Sequence, residues 1–129
     1  MASLDNLPPD QRAVLQMVLA RGRSYDQIAK MLQIDRADVR QRALRGLDAL
    51  GPSTRVPAER RESITDYLLG QLTPGEQDET REELARSPSE RAWARVVASE
   101  LQSLTEDPLP EIPAAAVDGG SVPAGEPEA

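Results

Sequence analysis

The sequence predicts an all-α protein that consists of two small three-helix units and a disordered acidic tail. Apolar residues recur at spacings of three and four along most of the chain before residue 107, which is the period of one helix face. Ser, Thr or Asp stands at the N-cap position before several of these stretches, and Gly or Pro interrupts the pattern between them. Residues 107–129 change to Pro, Ala, Gly and acid without periodicity, so they are predicted to be disordered.

The first unit is predicted over residues 7–50. Its first helix follows Leu7-Pro8-Pro9, because proline is favoured in a first turn, and Gly22 is placed to end it. The apolar face of this helix comprises Val14, Leu15, Val18 and Leu19. This helix is expected to pack on the two that follow.

Residues 24–50 are the most informative stretch of the first unit. Ser24 and Gln27 have the spacing of a capping box at the start of one helix, and Asp35 is a good N-cap for the next. The second of these helices carries an apolar stripe at helical spacing: Val39, Ala43, Leu47 and Leu50. A short capped helix, a tight turn and a longer amphipathic helix together predict a helix-turn-helix.

The second unit is predicted over residues 57–106, after a Gly-Pro-Ser-Thr cluster that breaks the helical pattern. One helix begins near Pro57, a second begins with the capping box Thr73-Pro74-Gly75-Glu76, and a third begins at Ser87. The third helix has the clearest apolar face of the unit: Ala92, Trp93, Val96, Val97, Leu101 and Leu104.

The composition excludes several classes of function. The chain has no Cys and no His, so the commonest zinc ligands and the commonest general base are missing. We therefore expect a protein that is not an enzyme, with no catalytic residue, no metal, no cofactor and no small-molecule substrate. No apolar run approaches the length of a membrane span and no signal peptide is visible, so we expect a cytoplasmic protein.

Charge is unevenly distributed along the chain. The net charge is −7, which argues against unspecific binding of nucleic acid. Residues 1–50 nevertheless hold eight Arg or Lys and six Asp or Glu, whereas residues 51–107 hold seven and twelve. The remaining residues hold four acids and no base. The only positive segment is therefore the one predicted to form the helix-turn-helix.

Two segments of the first unit, LPPDQRAVLQMVLARGRSYDQIAKMLQI and DRADVRQRALRGL, resemble region 4 of the sigma-70 family, which reads promoter DNA. The Leu-Pro-Pro-acid-Gln-Arg opening, the Gly-x-Ser-Tyr joint and the Ile-Ala-x-x-Leu helix are typical of that family. LuxR-type response-regulator domains share part of this pattern and are the competing assignment. The resemblance to region 4 implies promoter DNA as a partner.

The second unit resembles the zinc-associated anti-sigma domain over the segment TDYLLGQLTPGEQDETREELARSPSERAWARV. That family binds zinc through a His and two Cys, and the matching positions here are Glu83, Ser87 and Glu90. The resemblance therefore implies a zinc-free variant. Because anti-sigma domains bind sigma domains, it also implies that the two halves of this chain contact each other. Their opposite charges fit that expectation.

Four residues of the second helix of the helix-turn-helix are candidates for DNA contact: Arg36, Arg40, Gln41 and Arg45. Arg36, Arg40 and Gln41 lie at i, i+4 and i+5, so they are predicted to project from one side, away from the apolar stripe. Arg pairs with guanine and Gln with adenine in a major groove, and the resemblance to sigma-70 places promoter DNA against this segment. The alternative is a solvated basic face. Asp38, which would repel phosphate, favours that alternative.

Two functions remain open. The first is a bacterial transcription regulator that binds promoter DNA through residues 24–50 and is restrained by its anti-sigma-like half. In this case the acidic run Glu76–Glu83 is either a solvated face or a DNA mimic that covers the arginines. The second is an anti-sigma-like interaction module that binds a sigma factor or RNA polymerase without contacting DNA. Such a module also fits the cytoplasmic part of a membrane protein, with the Pro/Ala/Glu tail as its linker.

Overall fold

Six α-helices make up the part of the chain that the computed structural model describes, residues 4–114. They are α1 (Pro9–Leu19), α2 (Tyr25–Leu32), α3 (Arg36–Leu50), α4 (Ala58–Leu68), α5 (Pro74–Arg86) and α6 (Pro88–Leu101), with short 3₁₀ turns at Leu4–Asn6 and Gln102–Leu104. Residues 4–114 contain no β-strand, so the predicted all-α class is confirmed. None of these helices is long and apolar enough to cross a membrane. Residues 115–129, most of the predicted tail, lie outside the described residues.

The helix starts follow the capping signals of the sequence. The capping boxes predicted at Ser24 and at Thr73 are both present. In each of them the hydroxyl accepts from the backbone N–H three residues on, and that residue's side chain accepts from the N–H of the cap. Ser87 accepts from the N–H of Glu90 at the start of α6. Asp35 stands at the N-cap position of α3, but its carboxylate makes no capping hydrogen bond.

α1 and α4 are each followed by a glycine in the left-handed conformation. Gly22 has φ 65° and Gly70 has φ 71°. The residue after each glycine returns a hydrogen bond to the last turn of its helix. After Gly70 this bond runs from the N–H of Gln71 to the carbonyl oxygen of Asp66, at 2.9 Å. Glycine suits this position because a Cβ is disfavoured at positive φ.

One hydrophobic core joins the two predicted units. α3 packs against α1 and α2 of the first half and against α4 and α6 of the second. The large side chains buried in this core come from both halves: Leu15, Tyr25, Ile28, Leu47, Leu50, Ile64, Tyr67, Leu68, Leu84, Trp93 and Leu101. A helix-turn-helix of about fifty residues is small for a core of its own. The second half supplies the additional apolar surface.

Two glycines allow close approach to α3. A Cβ at Gly46 would lie 3.2 Å from Cδ1 of Leu15, so this glycine brings α1 close to α3. A Cβ at Gly51 would lie 2.9 Å from Cε2 of Trp93 and nearer still to Nε1. From the sequence, Gly51 belongs to a boundary between two units. In the structure it is also the place where the indole of the second half packs on the end of α3.

Residues 108–114 lie against the helical body. Leu109 and Ile112 are partly buried and pack on the core. The hydroxyl of Tyr67 donates a hydrogen bond to the carbonyl oxygen of Glu111. The sequence assigns these residues to the disordered tail because their Pro-rich composition has no helical period. Two separated apolar residues that dock on a surface made elsewhere leave no such period to detect.

Candidate nucleic-acid interface

α2 and α3 form the predicted helix-turn-helix. α2 ends at Leu32, and Gln33 takes a left-handed conformation with φ 58°. The chain then turns into α3, a helix of 15 residues. The predicted apolar stripe of α3 is fully buried: Val39, Ala43, Leu47 and Leu50. The opposite face of α3 is therefore the one that can enter a groove of DNA.

Gln41 and Arg45 lie on this solvent-facing side of α3, and both are exposed. Asp38 and Asp48 are exposed on the same helix, so its outer face carries both signs of charge. Of the four candidate residues, Gln41 and Arg45 are the two that are exposed on the face opposite the buried stripe.

Arg36 stands in the first turn of α3, beside α2. Its Nε lies 3.2 Å from Oδ1 of Asp26, and its guanidinium carbon lies 5.4 Å from the centre of the Tyr25 ring. About half of the Arg36 side chain is exposed, and the Asp26 side chain is more exposed still. Exposed ion pairs contribute about 0–1 kcal/mol. Arg36 can therefore exchange Asp26 for a phosphate at low cost.

Arg40 has different surroundings from the other three candidates. Its guanidinium donates from Nε and Nη2 to Oδ2 of Asp66, at 3.0 and 2.9 Å, and Nη2 lies 3.6 Å from Oε1 of Glu62. Only 30% of the side chain is exposed. The hydrogen bond to Asp66 raises the pKa of Arg40 above its usual value. Arg40 thus faces α4 whereas Gln41 faces solvent, although their spacing predicts one common side.

Asp66 of α4 binds side chains of both helices of the helix-turn-helix, a contact that the sequence does not predict. It is 8% exposed. Its Oδ1 accepts from the hydroxyl of Tyr25 at 2.8 Å, while Oδ2 accepts from Arg40. Burial and then the charge of Asp66 raise the pKa of Tyr25. One sequence signal could have indicated this contact: an acid stands between Ile64 and Tyr67, within a stretch of apolar residues at helical spacing. An acid that is buried needs a charged or hydrogen-bonding partner.

Gln71, which follows α4, contacts the start of α2. Its Oε1 accepts from the backbone N–H of Tyr25 at 3.0 Å, and its Nε2 donates to the carbonyl oxygen of Leu69 at 2.9 Å. Tyr25 is the first residue of α2, so its N–H has no acceptor within the helix. Backbone N–H groups at helix N-termini are common phosphate ligands in protein–DNA complexes. Gln71 therefore occupies a position that a phosphate oxygen could take.

Acidic residues of α5 line a cavity beside Arg40. The cavity has a volume of about 300 Å³, and Glu76, Glu79 and Glu83 contribute to its α5 wall. Arg40 and Asp66 contribute to its other walls. The acidic run of α5 thus lies beside Arg40, one of the arginines that it would cover if it acted as a DNA mimic. Arg45 stays exposed, so the run does not cover the outer face of α3.

Glu83, Ser87 and Glu90, which the sequence predicts to replace the zinc ligands of an anti-sigma domain, have partners within the second half. Oε1 of Glu83 lies 3.5 Å from Nη1 of Arg86, and Ser87 caps α6. Oε1 of Glu90, a buried residue, lies 3.2 Å from Nη2 of Arg60. Within residues 4–114, no group of three or more Asp or Glu is arranged to hold a metal ion. Two of these side chains therefore pair with arginines, and the third caps a helix.

A comparison with protein families matches residues 1–50 to the model described as sigma-70, region 4. Comparisons with curated proteins and with solved structures find no significant match. The matched range ends at the last residue of α3, so it includes the whole helix-turn-helix and none of the second half. Domains of this family typically contact DNA and RNA polymerase. The match favours the sigma-70 assignment over the LuxR type, and the first fifty residues are therefore a sigma-70 region 4-like helix-turn-helix.

Proposed function

We propose that this protein is a transcription regulator that binds promoter DNA through its helix-turn-helix, and that its second half restrains this binding. The observation that carries the proposal is the position of Asp66. One buried carboxylate of the second half holds the guanidinium of Arg40 and the hydroxyl of Tyr25. The protein acts by binding rather than by catalysis, and it works in the cytoplasm.

The restraint acts first through the cost of separating Arg40 from Asp66. To reach a phosphate or a guanine, Arg40 must leave a carboxylate that is almost completely buried. An unpaired buried charge costs several kcal/mol, so part of the binding free energy would be lost. Gln71 adds to this effect because it holds the N–H of Tyr25 at the start of α2.

The restraint acts also through electrostatic repulsion. Glu76, Glu79 and Glu83 line the same cavity as Arg40, so a phosphate that binds Arg40 there would lie beside their carboxylates. Salt screens exposed charges over about 10 Å at 0.1 M ionic strength, so acids this close still act on bound DNA. The second half thus lowers the phosphate affinity of the positive segment.

The outer face of α3 stays accessible in the restrained state. Gln41 and Arg45 are exposed, so weak binding to DNA does not require the halves to separate. In this proposal they read base edges, whereas Arg40 adds affinity when Asp66 releases it. In this proposal residues 57–106 are an anti-sigma-like domain, so that a sigma-like domain and its antagonist share one chain.

The test is Asp66→Asn in the full chain. Asparagine keeps the shape and can still accept a hydrogen bond from Tyr25, but it no longer holds Arg40 by charge. We expect tighter binding to a promoter-like duplex in fluorescence anisotropy. We also expect the salt dependence, log K against log salt, to steepen by about 0.9 as one more phosphate is neutralised.

Asp78→Asn is the matched control. It makes the same charge change on the second half, at an exposed residue of α5 that does not line the cavity beside Arg40. This variant should bind DNA like the native chain. If Asp66→Asn binds no more tightly than Asp78→Asn, the second half does not restrain the helix-turn-helix through Arg40.

A second function is favoured by the mixed charge of the outer face of α3. Asp38 and Asp48 are exposed beside Arg45, so this face suits a protein partner as well as DNA. In that case the chain binds a sigma factor or RNA polymerase without contacting DNA. Gln41→Ala with Arg45→Ala separates the two functions. If α3 reads DNA, the native chain binds the duplex and this variant does not. If the chain acts only on a protein partner, neither the native chain nor the variant binds the duplex.

A further inference from the structure

We propose that the groove between the ends of α1 and α4 is a binding site for an extended, proline-containing apolar peptide, and that residues 108–113 fill it within the same chain. We call these residues the strap. Occupancy of the groove fixes Asp66 and Gln71 on the helix-turn-helix. The regulatory part of this inference rests on the proposed function, whereas the peptide site stands on its own geometry.

The groove is formed by the two helix ends that carry left-handed glycines. An open cavity of about 190 Å³ lies between these helix ends and the first residues of the strap. The part of the cavity wall that belongs to the helical body is mostly apolar: Val18, Leu19, Gly22, Leu68, Leu69 and Gly70. A groove with apolar walls that spans both halves of the chain is suited to a peptide that brings few polar groups of its own.

The strap has the pattern that such a groove selects. Its sequence is Pro-Leu-Pro-Glu-Ile-Pro, and prolines favour the extended polyproline II conformation over helix. That conformation has three residues per turn, so Leu109 and Ile112 fall on one face. Both are partly buried against the core. A hydroxyl donor from Tyr67 to the carbonyl of Glu111 completes the contact, as in other grooves that use aromatic residues to recognise polyproline II peptides.

The strap and the helix-turn-helix contact the same short segment of the chain. Tyr67, which binds the strap, stands directly after Asp66, which binds Arg40 and Tyr25. The groove residues Leu68, Leu69 and Gly70 lie between Asp66 and Gln71. A backbone hydrogen bond of 2.9 Å joins Gln71 to Asp66 and makes this segment one turn. A strap that leaves the groove therefore loosens the turn that holds Tyr25 and Arg40.

The chemistry of the groove does not depend on the strap being part of the same chain. The walls formed by α1 and α4 belong to the helical body, and the strap follows its last helical turn at Gln102–Leu104. A peptide with Leu and Ile three residues apart, flanked by prolines, meets the same walls and the same tyrosine. Such a peptide can take the place of a displaced strap.

The experiment compares two variants of the full chain. Leu109→Ser with Ile112→Ser removes the apolar contacts of the strap, and Glu111→Ala is the matched control because Glu111 contributes its backbone carbonyl. The N–H of Tyr25 donates a hydrogen bond to Oε1 of Gln71, so its amide hydrogen exchange reports on the turn from Asp66 to Gln71 and requires no DNA. We expect the double variant to exchange this proton about tenfold faster or more. The N–H of Glu76, held by the Thr73 capping box, should keep its rate in both variants.

A synthetic peptide of residues 108–114 is then added to the double variant. It should restore slow exchange at Tyr25, whereas the same peptide with both Ser substitutions should not. Native exchange in the double variant, or a native peptide that leaves the fast exchange unchanged, overturns the inference. The result is independent of the proposed function. A strap effect on exchange without any gain of DNA binding in Asp66→Asn refutes the restraint and keeps the peptide site.

Discussion

The contact between Gly51 and Trp93 predicts that Gly51→Ala destabilises the protein. Gly51 has φ −83° and ψ 162°, which alanine adopts without strain, so the backbone does not oppose the substitution. The new Cβ would nevertheless lie 2.9 Å from Cε2 and 3.0 Å from Cδ1 of Trp93. The indole is rigid and 1% exposed, so it cannot turn away into solvent. The packing of α6 on the end of α3 must therefore shift.

The size of the effect follows from two opposing contributions. Overpacking of a well-packed core costs about 1–3 kcal/mol. Replacing glycine by alanine returns about 0.4–1 kcal/mol, because the unfolded chain loses conformational freedom. We expect a net loss of about 1–2 kcal/mol in the free energy of unfolding. For a chain of this length, each kcal/mol corresponds to a decrease in Tm of roughly 3–5 °C.

Urea denaturation followed by tryptophan fluorescence measures this loss directly, since Trp93 is the only tryptophan in the sequence. Gly75→Ala is the matched control. It makes the same substitution in the first turn of α5, where the new Cβ would meet no atom of the described chain within 4 Å apart from its chain neighbours and the backbone of its own helix. This control should be unchanged or slightly more stable. A Gly51→Ala protein with the native midpoint and native Trp93 emission would refute the packing of the indole on α3.

Three further predictions follow from buried polar contacts. Asp66→Ala should lower the free energy of unfolding by about 1–3 kcal/mol in urea, because it leaves Tyr25 and Arg40 without their shared acceptor. The pKa of Tyr25 is raised in the folded state, so above the unfolded value of about 10 the unfolded chain loses this proton first. The free energy of unfolding should therefore fall above pH 10 by up to about 1.4 kcal/mol per pH unit, and Tyr25→Phe should flatten this decrease when urea denaturation is repeated at increasing pH. Arg91→Met should lower the free energy of unfolding by about 1–3 kcal/mol in thermal denaturation. Nη1 of this buried arginine donates to two carbonyl oxygens at the end of α5, at 2.9 and 2.8 Å. Arg95→Met, at an exposed position of α6, is the control and should change stability little.

Local signals were sufficient to predict the helices and the helix-turn-helix. The capping boxes at Ser24 and Thr73 join residues only three apart, so both partners are visible in one short stretch. The apolar stripe that begins at Val39 is likewise a property of one helix. A family of sequences that repeats these signals can be identified without knowledge of how the helices pack.

The contacts made by the second half could not be predicted in the same way. Tyr25 lies 41 residues from Asp66 and 46 from Gln71 in the sequence, so no spacing rule relates them. Gly46 is unfavourable as an interior helix residue, and only the approach of Leu15 explains its presence. The side of α3 that Arg40 faces depends on where α4 docks, and this depends on the whole core.

The central position of α3 has a consequence for the connector between α3 and α4. Ser53 and Arg55 are exposed there, so a protease can reach the peptide bonds beside them. α3 is held to α4 and α6 by non-covalent packing of buried side chains, which does not depend on those peptide bonds. A single cleavage would therefore leave two polypeptides that stay associated as one complex in solution. They would separate only when a denaturant unfolds the core that they share.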